Sequence, residues 1–559
     1  MIGVFFSSFS SVDPSSYVKS IYLRTNSFYS TSYFCIFNII MAAVVALIVA
    51  VLCVSLLYRR YKWAAVINRI PGLGNSPLGL WGDFGVIIDL LRQDDGLDIT
   101  QKLLPFMMRM RSLLGSEGGF FRMWLGPEPI VFASDADAVE DILSSSDLLN
   151  KSKFYKFFEA WLGVTMFTSP IPQWRRTRKV MTPSLHFQVM EQFLPIMLKC
   201  GNVLVSKLKQ EADANDGVIK DVRPFLSLCA LDVICETSLG EQVNAQSDPQ
   251  SAYIKAVEAM NDIIVKRFIY PWMHNDFIFS LLPLGREQKK QVKVMQAFTE
   301  KILIKRKAAM KQSLLSGIIK DEASLEKKRE PIIDTLIAEH LRDPQGFTEI
   351  DVRDNVTGAI FAGNETTAWG VTWLIYLLGL HPEHQERVQE EADELFSNQS
   401  DDSLVTLNML RSQMKYTEAV INESQRLIPT AAFFSRQAER DIHIRGTPIP
   451  AGTTILVMPP FIHLDEKYWP DPNTFNPERF LTSARRHPYS FLPFSAGSRN
   501  CLGQKFAIVE EKVLVAKIFH KFTVTSLDGR DKIIQSVGRS RYPIRIRLES
   551  RKYHQRADM

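Results

Sequence analysis

Cysteine is scarce in this chain: six in 559 residues, at Cys35, Cys53, Cys200, Cys229, Cys235 and Cys501, with no C-x-x-C pair among them. That scarcity argues against a zinc framework or a disulfide-stapled domain and suits a reducing compartment for most of the chain. Taken singly, each cysteine reads first as a small buried hydrophobe. Charge of either sign is not in excess, with 66 Lys plus Arg against 61 Asp plus Glu. No like-charge block is long enough for a nucleic-acid arm, so nucleic-acid binding has no support. No internal repeat is evident, and only one apolar run is long and free of charge.

That run is residues 39–57, IIMAAVVALIVAVLCVSLL. As a helix it spans ~28 Å, enough to cross a bilayer. Arg59, Arg60, Lys62 and Arg69 follow it with no acidic residue before Asp83, whereas the residues ahead carry only Lys19 and Arg24 against Asp13. The positive-inside tendency then leaves everything after Tyr58 on the cytosolic side. A cleavable signal peptide is the competing reading, but the run is long and is followed by Tyr and Arg, with no small-residue cleavage site. A mitochondrial transit peptide fits worse, because two basic residues ahead of the run make a poor amphipathic cation. The chain divides into an N-terminal extension (1–38) without clear periodicity, an anchor (39–58), a basic and Pro/Gly-rich hinge (59–84), and a large globule (85–559). Met41, near the head of the run, is a second candidate translation start.

In the globule most segments read as helices: residues 183–208, 227–240, 251–266, 288–313 and 355–381. Residues 130–133 and 453–458 read as strands. The stretch 320–329 (KDEASLEKKR) is charged enough for a solvated loop or exposed helix. The fold class is mainly α with a small β part.

The helix at 355–381 carries an internal contradiction. Its second half, AWGVTWLIYLLGL, is apolar nearly all round, the mark of a buried helix. Yet Ala362-Gly363-Asn364-Glu365-Thr366-Thr367 stands at its centre. A carboxylate and two hydroxyls there cost several kcal/mol unless partnered, and Gly363 costs roughly another 1 kcal/mol against Ala. Small residues let a backbone approach a flat ligand, and Thr366 with Glu365 can hold water and pass protons. A bend with a satisfied Thr is the plainer alternative.

Near the C-terminus, Phe494-Ser495-Ala496-Gly497-Ser498-Arg499-Asn500-Cys501-Leu502-Gly503 precedes a helical run from Gln504 to Phe519. Cys501 thus sits just ahead of a helix N-terminus, where free N–H groups and the dipole favour a thiolate. Gly497 and Gly503 clear space for a planar macrocycle, Arg499 offers a cation to an acid group on it, and Phe494 can pack on the sulfur.

The pattern F-x-x-G-x-R-x-C-x-G resembles the haem-binding loop of the cytochrome P450 superfamily at every fixed position. That resemblance implies a P450 fold preceded by one transmembrane helix, and haem b held by the Cys501 thiolate, which is the metal ligand. A thiolate ligand favours O–O cleavage. It further implies that Glu423 and Arg426 of an E-x-x-R element form a buried structural triad with Arg479 of Pro477-Glu478-Arg479-Phe480. A W-x-x-x-R element, Trp174 to Arg178, matches propionate-binding residues, as does Arg436, and Arg499 joins them. The central segment is similar to the oxygen-activation motif, which gives Thr366 the hydrogen bond to dioxygen and Glu365 the proton relay.

Segments 231–237, 161–163, 182–187, 486–489 and 504–507 resemble family 4, especially its insect members. Two departures stand out. Many family 4 members have a glutamate where this chain has Ala362, and it esterifies the haem; alanine implies non-covalent haem. Ala432 replaces a usual proline, so the nearby substrate wall, with Phe433 and Phe434, differs. The resemblance implies a monooxygenase in the endoplasmic reticulum membrane, acting on an apolar substrate (a fatty acid or other lipid, or a xenobiotic) with O2. Electrons would come from NADPH through NADPH-cytochrome P450 reductase, with cytochrome b5 a further partner. The reductase would dock on the cysteine side of the haem, where Arg175, Arg176 and Lys179 offer positive charge. A haem-thiolate isomerase or dehydratase and a non-catalytic haem sensor are the alternatives, and retained Glu365 and Thr366 argue against the first.

Overall fold

The computed structural model describes residues 14–74, 78, 82–92, 99–115, 118–315, 331–397, 402–530, 535–536, 539–540 and 542–551. The charged stretch 320–329 and the hinge positions Pro77 and Gly79 lie outside the described residues.

One long helix, Pro14–Ile67, opens the chain. Its part Asn38–Ile67, with a window of mean hydropathy 3.2 and no buried side chain in it, is the one helix among the described residues long and apolar enough to cross a membrane. The helix starts before the apolar run and outlasts it, so Arg59, Arg60 and Lys62 continue it. The Arg60 guanidinium lies 4.6 Å from the Trp63 ring and Lys62 Nζ 4.9 Å from the Tyr58 ring. Cations over aromatic faces at the end of an apolar span suit a headgroup layer. Beyond Ile67 the chain is stitched to the strand Phe120–Leu125. Trp124 Nε1 donates to Asn68 Oδ1 at 3.1 Å, Arg122 N–H to Pro71 O at 2.7 Å, and Asp83 exchanges two bonds with the Trp124 backbone.

The globule is mainly helical with a small β part. A four-stranded sheet runs Phe120–Leu125, Glu128–Ala133, Thr454–Val457, Phe434–Gln437, the middle pairing parallel and the outer two antiparallel. A three-stranded sheet joins Val218–Ile219, Ile546–Ser550 and Phe522–Ser526. The expected helix at 183–208 is two pieces. Pro183 lies in a single turn, Thr182–Leu185, His186 is extended, and the helix proper is Phe187–Ala214. Pro195 stays inside it at a cost of ~3 kcal/mol, offset by burial of Phe193, Leu194, Met197 and Leu198 at about 1.5–3 kcal/mol each.

The central helix is Glu349–Leu380. A capping box starts it: Thr348 Oγ1 accepts from Asp351 N–H at 3.2 Å, and the Asp351 carboxylate accepts from Thr348 N–H at 2.8 Å. It packs on Arg223–Ser238, a helix buried on nearly every side. Gly363 is what lets the two meet, because a Cβ there would come 2.5 Å from Ile234 Cδ1. The small residue therefore serves helix packing. Ala362 and Gly363 both line the adjoining cavity, and Ala362 is exposed to it.

Candidate active site

A cavity of about 1030 Å³ opens between the central helix, the helix Ala252–Ile269, the strand Phe434–Gln437 and the cysteine loop. Phe154, Phe157, Phe158, Phe268, Phe361 and Phe433 give it an aromatic wall, and Trp161 meets Phe361 edge-on at 4.6 Å.

The cysteine loop forms the opposite wall. Cys501 N–H donates to Phe494 O at 2.9 Å and Asn500 N–H to Gly497 O at 3.2 Å, which folds the loop on itself ahead of the helix Gln504–Lys521. Gly497 has φ +72°, and a Cβ there would lie 2.1 Å from Leu143 O, so only glycine fits. The Cys501 side chain is exposed to the cavity. Phe494 also lines the cavity, and its backbone carbonyl is what bonds Cys501. Burial pushes the Cys501 thiol up, and the Gly503 N–H and Arg178 pull it down only in part. The helix-terminal Gly503 N–H thus favours the thiolate, and a bound metal ion is the larger charge that makes a coordinating thiol a thiolate.

Cations gather beside this loop. Arg499 donates to Ser169 O at 2.6 Å and lies 4.7 Å over the Trp174 ring, yet its Nε and Nη1 are buried without a hydrogen-bond partner among the described residues. Burial, then the Arg436 charge, lowers it to about 10. Arg436 is 2% exposed and, among the described residues, donates only to Ser435 O, at 3.1 Å. Arg178 holds the loop itself, donating to Asn500 O at 2.8 Å and Asn500 Oδ1 at 2.6 Å. Sequence reasoning missed Lys151. It is pinned opposite Arg436 because Gln437 N–H donates to Asn150 O at 2.9 Å and Ser152 Oγ meets Ser435 Oγ at 2.6 Å. Burial, then Arg436 and Arg499, pushes its amine well below the usual lysine range. Among the described residues none of Lys151, Arg178, Arg436 and Arg499 forms an ion pair with a carboxylate. Unpaired buried cations are costly, and a planar group bearing two carboxylates beside a metal that takes Cys501 fits this wall.

On the central helix, Thr366 and Ala362 face the cavity one turn apart, and Thr366 Oγ1 donates to Ala362 O at 2.7 Å. Glu365 is 3% exposed and held from several sides. Its Oε1 accepts from Asn261 Nδ2 and Trp369 Nε1, both at 3.1 Å, and its Oε2 from Arg223 Nη2 at 3.3 Å. Thr367 is buried against the helix Gln504–Lys521, where Glu510 and Glu511 lie fully inside. Burial raises both carboxyls, Glu511 to about 8.

Under the loop, Arg426 makes a two-point ion pair with Glu423 at 2.7 and 2.8 Å, both residues 0% exposed. Its remaining donors reach His463 O, Pro472 O and Thr474 O. Arg479 completes the group at 3.4 Å from Glu423 Oε1, and it is anchored chiefly on Pro470 O and Asp471 O.

The cytochrome P450 family model matches residues 100–546, the stretch that contains every one of these residues. The chain belongs to the cytochrome P450 family. It is 35% identical to mouse (Mus musculus) cytochrome P450 4V2 over 447 residues, covering 79% of this chain and 83% of that protein. It is 34% identical to cytochrome P450 4c21 of Blattella germanica over 516 residues, 90% of this chain and 98% of that one. With cytochrome P450 4c3 of Drosophila melanogaster it shares 32% over 490 residues, 85% and 87% of the two chains. It is therefore a family 4-like haem-thiolate monooxygenase whose cofactor is haem b on a cysteine thiolate. This P450 is joined to an N-terminal apolar helix consistent with membrane anchoring.

Proposed function

We propose that this P450 hydroxylates a long apolar lipid, fatty acids first and xenobiotics second, at the endoplasmic reticulum membrane with its globule in the cytosol. The observation that carries the reading is a single aromatic cavity faced at once by Cys501, Thr366 and Ala362. Haem bound there supplies the reductive activation of O2. Arg436, Arg499, Trp174 and Arg178 would hold its carboxylates and the loop beside it, while Phe494 and Gly497 shape that loop. Ala362 offers no carboxyl for a covalent link.

Thr366 presents its hydroxyl to the cavity and exchanges its proton at Oγ1, with Ala362 O as its resting acceptor. Glu365 takes a proton from solvent at its carboxylate and passes it to Thr366. The aromatic wall excludes water, so protons enter at this polar break. The triad Glu423, Arg426 and Arg479 keeps the framework under the cysteine loop rigid and takes no part in the chemistry.

Electrons come from NADPH through a membrane flavoprotein reductase, with cytochrome b5 as a second donor. Arg175 and Lys179 are exposed and suited to an acidic docking face. Arg176 is not, because Glu339 and Asp343 already engage it at 2.7 Å. The overall reaction is RH + O2 + NADPH + H+ → ROH + H2O + NADP+. Reconstitution with a reductase, a panel of fatty acids and isotopically labelled O2 should give a hydroxylated product carrying one labelled atom. Unlabelled product, or turnover without O2, would sink the reading.

A further inference from the structure

Lys151 is the cation left over on this wall once Arg436 and Arg499 are matched to the haem carboxylates. The backbone on both sides of it is tied to the strand Phe434–Gln437, since Asn150 O accepts from Gln437 N–H at 2.9 Å and Ser152 Oγ meets Ser435 Oγ at 2.6 Å. With both neighbours fixed, Lys151 is not free to carry its amine out to water as a surface lysine does. Lys153, two residues on, has a carboxylate partner in Glu128. Lys151 has none among the described residues, and it lines the cavity.

What surrounds the amine is aromatic. Its Nζ lies 4.5 Å from the centre of the Tyr155 ring and 5.4 Å from that of Phe167, and it donates to the Tyr155 phenol oxygen at 3.2 Å. Ring faces attract a cation but do not neutralise it. Tyr155 is 9% exposed and also lines the cavity. Its oxygen accepts from Lys151, so its own O–H proton is left to donate, and no acceptor for it stands among the described residues. An ammonium beside a phenol O–H is a pair of donors suited to the two oxygens of one carboxylate. Arg436 and Arg499 lie near enough to repel the amine, and an anion set here would offset that repulsion as well.

We propose that Lys151 and Tyr155 form a carboxylate-binding site in the cavity wall, additional to the Arg436 and Arg499 cations. Two molecules can bring the carboxylate. One is the haem, whose acid groups would then have a third cation. The other is an acidic substrate, which would lie with its polar end at Lys151 and its chain along Phe154, Phe157 and Phe158. The second source rests on the fatty-acid reading of the cavity, and the site itself does not.

The test uses full-length holoenzyme carrying Lys151→Met, Lys151→Arg or Tyr155→Phe. Lys151→Met exchanges a confined cation for a thioether of similar length and strands no charged partner, so it should fold. In the haem arm, transfer of haem to apomyoglobin should run about tenfold faster in Lys151→Met, by less in Tyr155→Phe, and near the wild-type rate in Lys151→Arg. In the substrate arm, binding is read from the Soret shift on adding hexadecanoic acid or its methyl ester. Wild type should prefer the acid by about tenfold, and Lys151→Met should lose that preference. Lys255→Met should keep it, because Lys255 also lines the cavity but is exposed and bonded to Gln250. Faster haem loss alone assigns the haem carboxylate, and a lost preference alone assigns the substrate's. Wild-type behaviour of Lys151→Met in both arms overturns the site. Were wild type to bind neither acid nor ester, the fatty-acid reading would fail, and haem transfer would decide the site by itself.

Discussion

The Nε2 of His463 accepts a hydrogen bond from the backbone N–H of Leu492 at 2.8 Å, two residues before the cysteine loop begins at Phe494. The acceptor role of Nε2 places the ring proton on Nδ1, which donates to Arg426 O at 3.2 Å. One buried imidazole thus ties the Glu423–Arg426 ion pair to the segment that leads into Cys501. His463→Phe removes both bonds at once, at about 1–3 kcal/mol for each buried group left unpaired. Urea unfolding should show that loss, together with weaker haem retention.

The same histidine makes a pH prediction. Burial lowers its pKa to about 3 from an ordinary 6.5. The folded chain keeps it neutral while the unfolded chain protonates it. Its contribution is full above pH 6.5 and is lost as pH falls toward 3. Stability of the wild type should therefore fall more steeply with acid through that window than that of His463→Phe. Parallel slopes would assign the acid sensitivity elsewhere.

Glu511 gives the opposite sign. Burial raises it to about 8 from 4.5, against a lowering bond from Gln425 Nε2 at 3.0 Å. A raised carboxyl favours the fold below pH 4.5, and the advantage is lost as pH rises through 8. Glu511→Gln keeps the shape without the proton. At alkaline pH it should be more stable than wild type by a few kcal/mol, since each pKa unit is worth about 1.4 kcal/mol. Thermal melts across the range should show that gap closing toward acid.

Within the triad the three residues are unequal. Arg426→Leu strands a fully buried carboxylate, a change worth about 3–5 kcal/mol. Arg479→Ala should cost less, because Arg479 stands 3.4 Å from Glu423 and the N–H of Asn476 still reaches that oxygen at 2.9 Å. The yield of folded, haem-containing protein should rank wild type, Arg479→Ala, Arg426→Leu. The reverse order would make Arg479 the keystone.

What was legible in the sequence was whatever sits at fixed spacing on one segment. The cysteine loop, the Glu423–Arg426 turn and the polar break at Glu365-Thr366 each carry their geometry within a few residues, so a motif records them. Lys151, His463 and Arg223 carry no such signal. Each faces a group far away in the chain and is placed by a sheet edge, a buried turn or a helix start. Gly363 was visible as an anomaly, but its cause was not, because the space it leaves is filled by Ile234 from another helix. Arg176 looked like a free surface cation until Glu339 and Asp343 came alongside it.

Cys501 and Arg499 should fail differently although they are neighbours. Cys501→Ala removes the proposed metal ligand, and the reduced carbonyl complex should lose the red-shifted Soret band of thiolate ligation. Arg499→Leu keeps the ligand but removes a cation whose buried Nε and Nη1 suit a haem carboxylate. Its band should stay red-shifted while transfer of haem to apomyoglobin speeds up by about tenfold, the equivalent of ~1.4 kcal/mol. An unshifted band in the folded wild type would remove Cys501 as the ligand.

Ala362 offers a gain-of-function test of where the haem lies. It faces the cavity one turn before Thr366, on the same side of the central helix. With only a methyl group there, acid-solvent extraction of the wild type should release all of its haem. Ala362→Glu puts a carboxyl at the place from which family 4 glutamates form an ester to the haem. After turnover, a fraction of its haem should stay with the protein through acid extraction and denaturing chromatography. The double variant Ala362→Glu, Cys501→Ala should show none, because oxidative chemistry at the thiolate-bound haem is needed to form the ester. Acid-stable haem in the wild type would contradict the assignment of Ala362, and complete release from Ala362→Glu would mean that this turn of the helix does not face the haem edge.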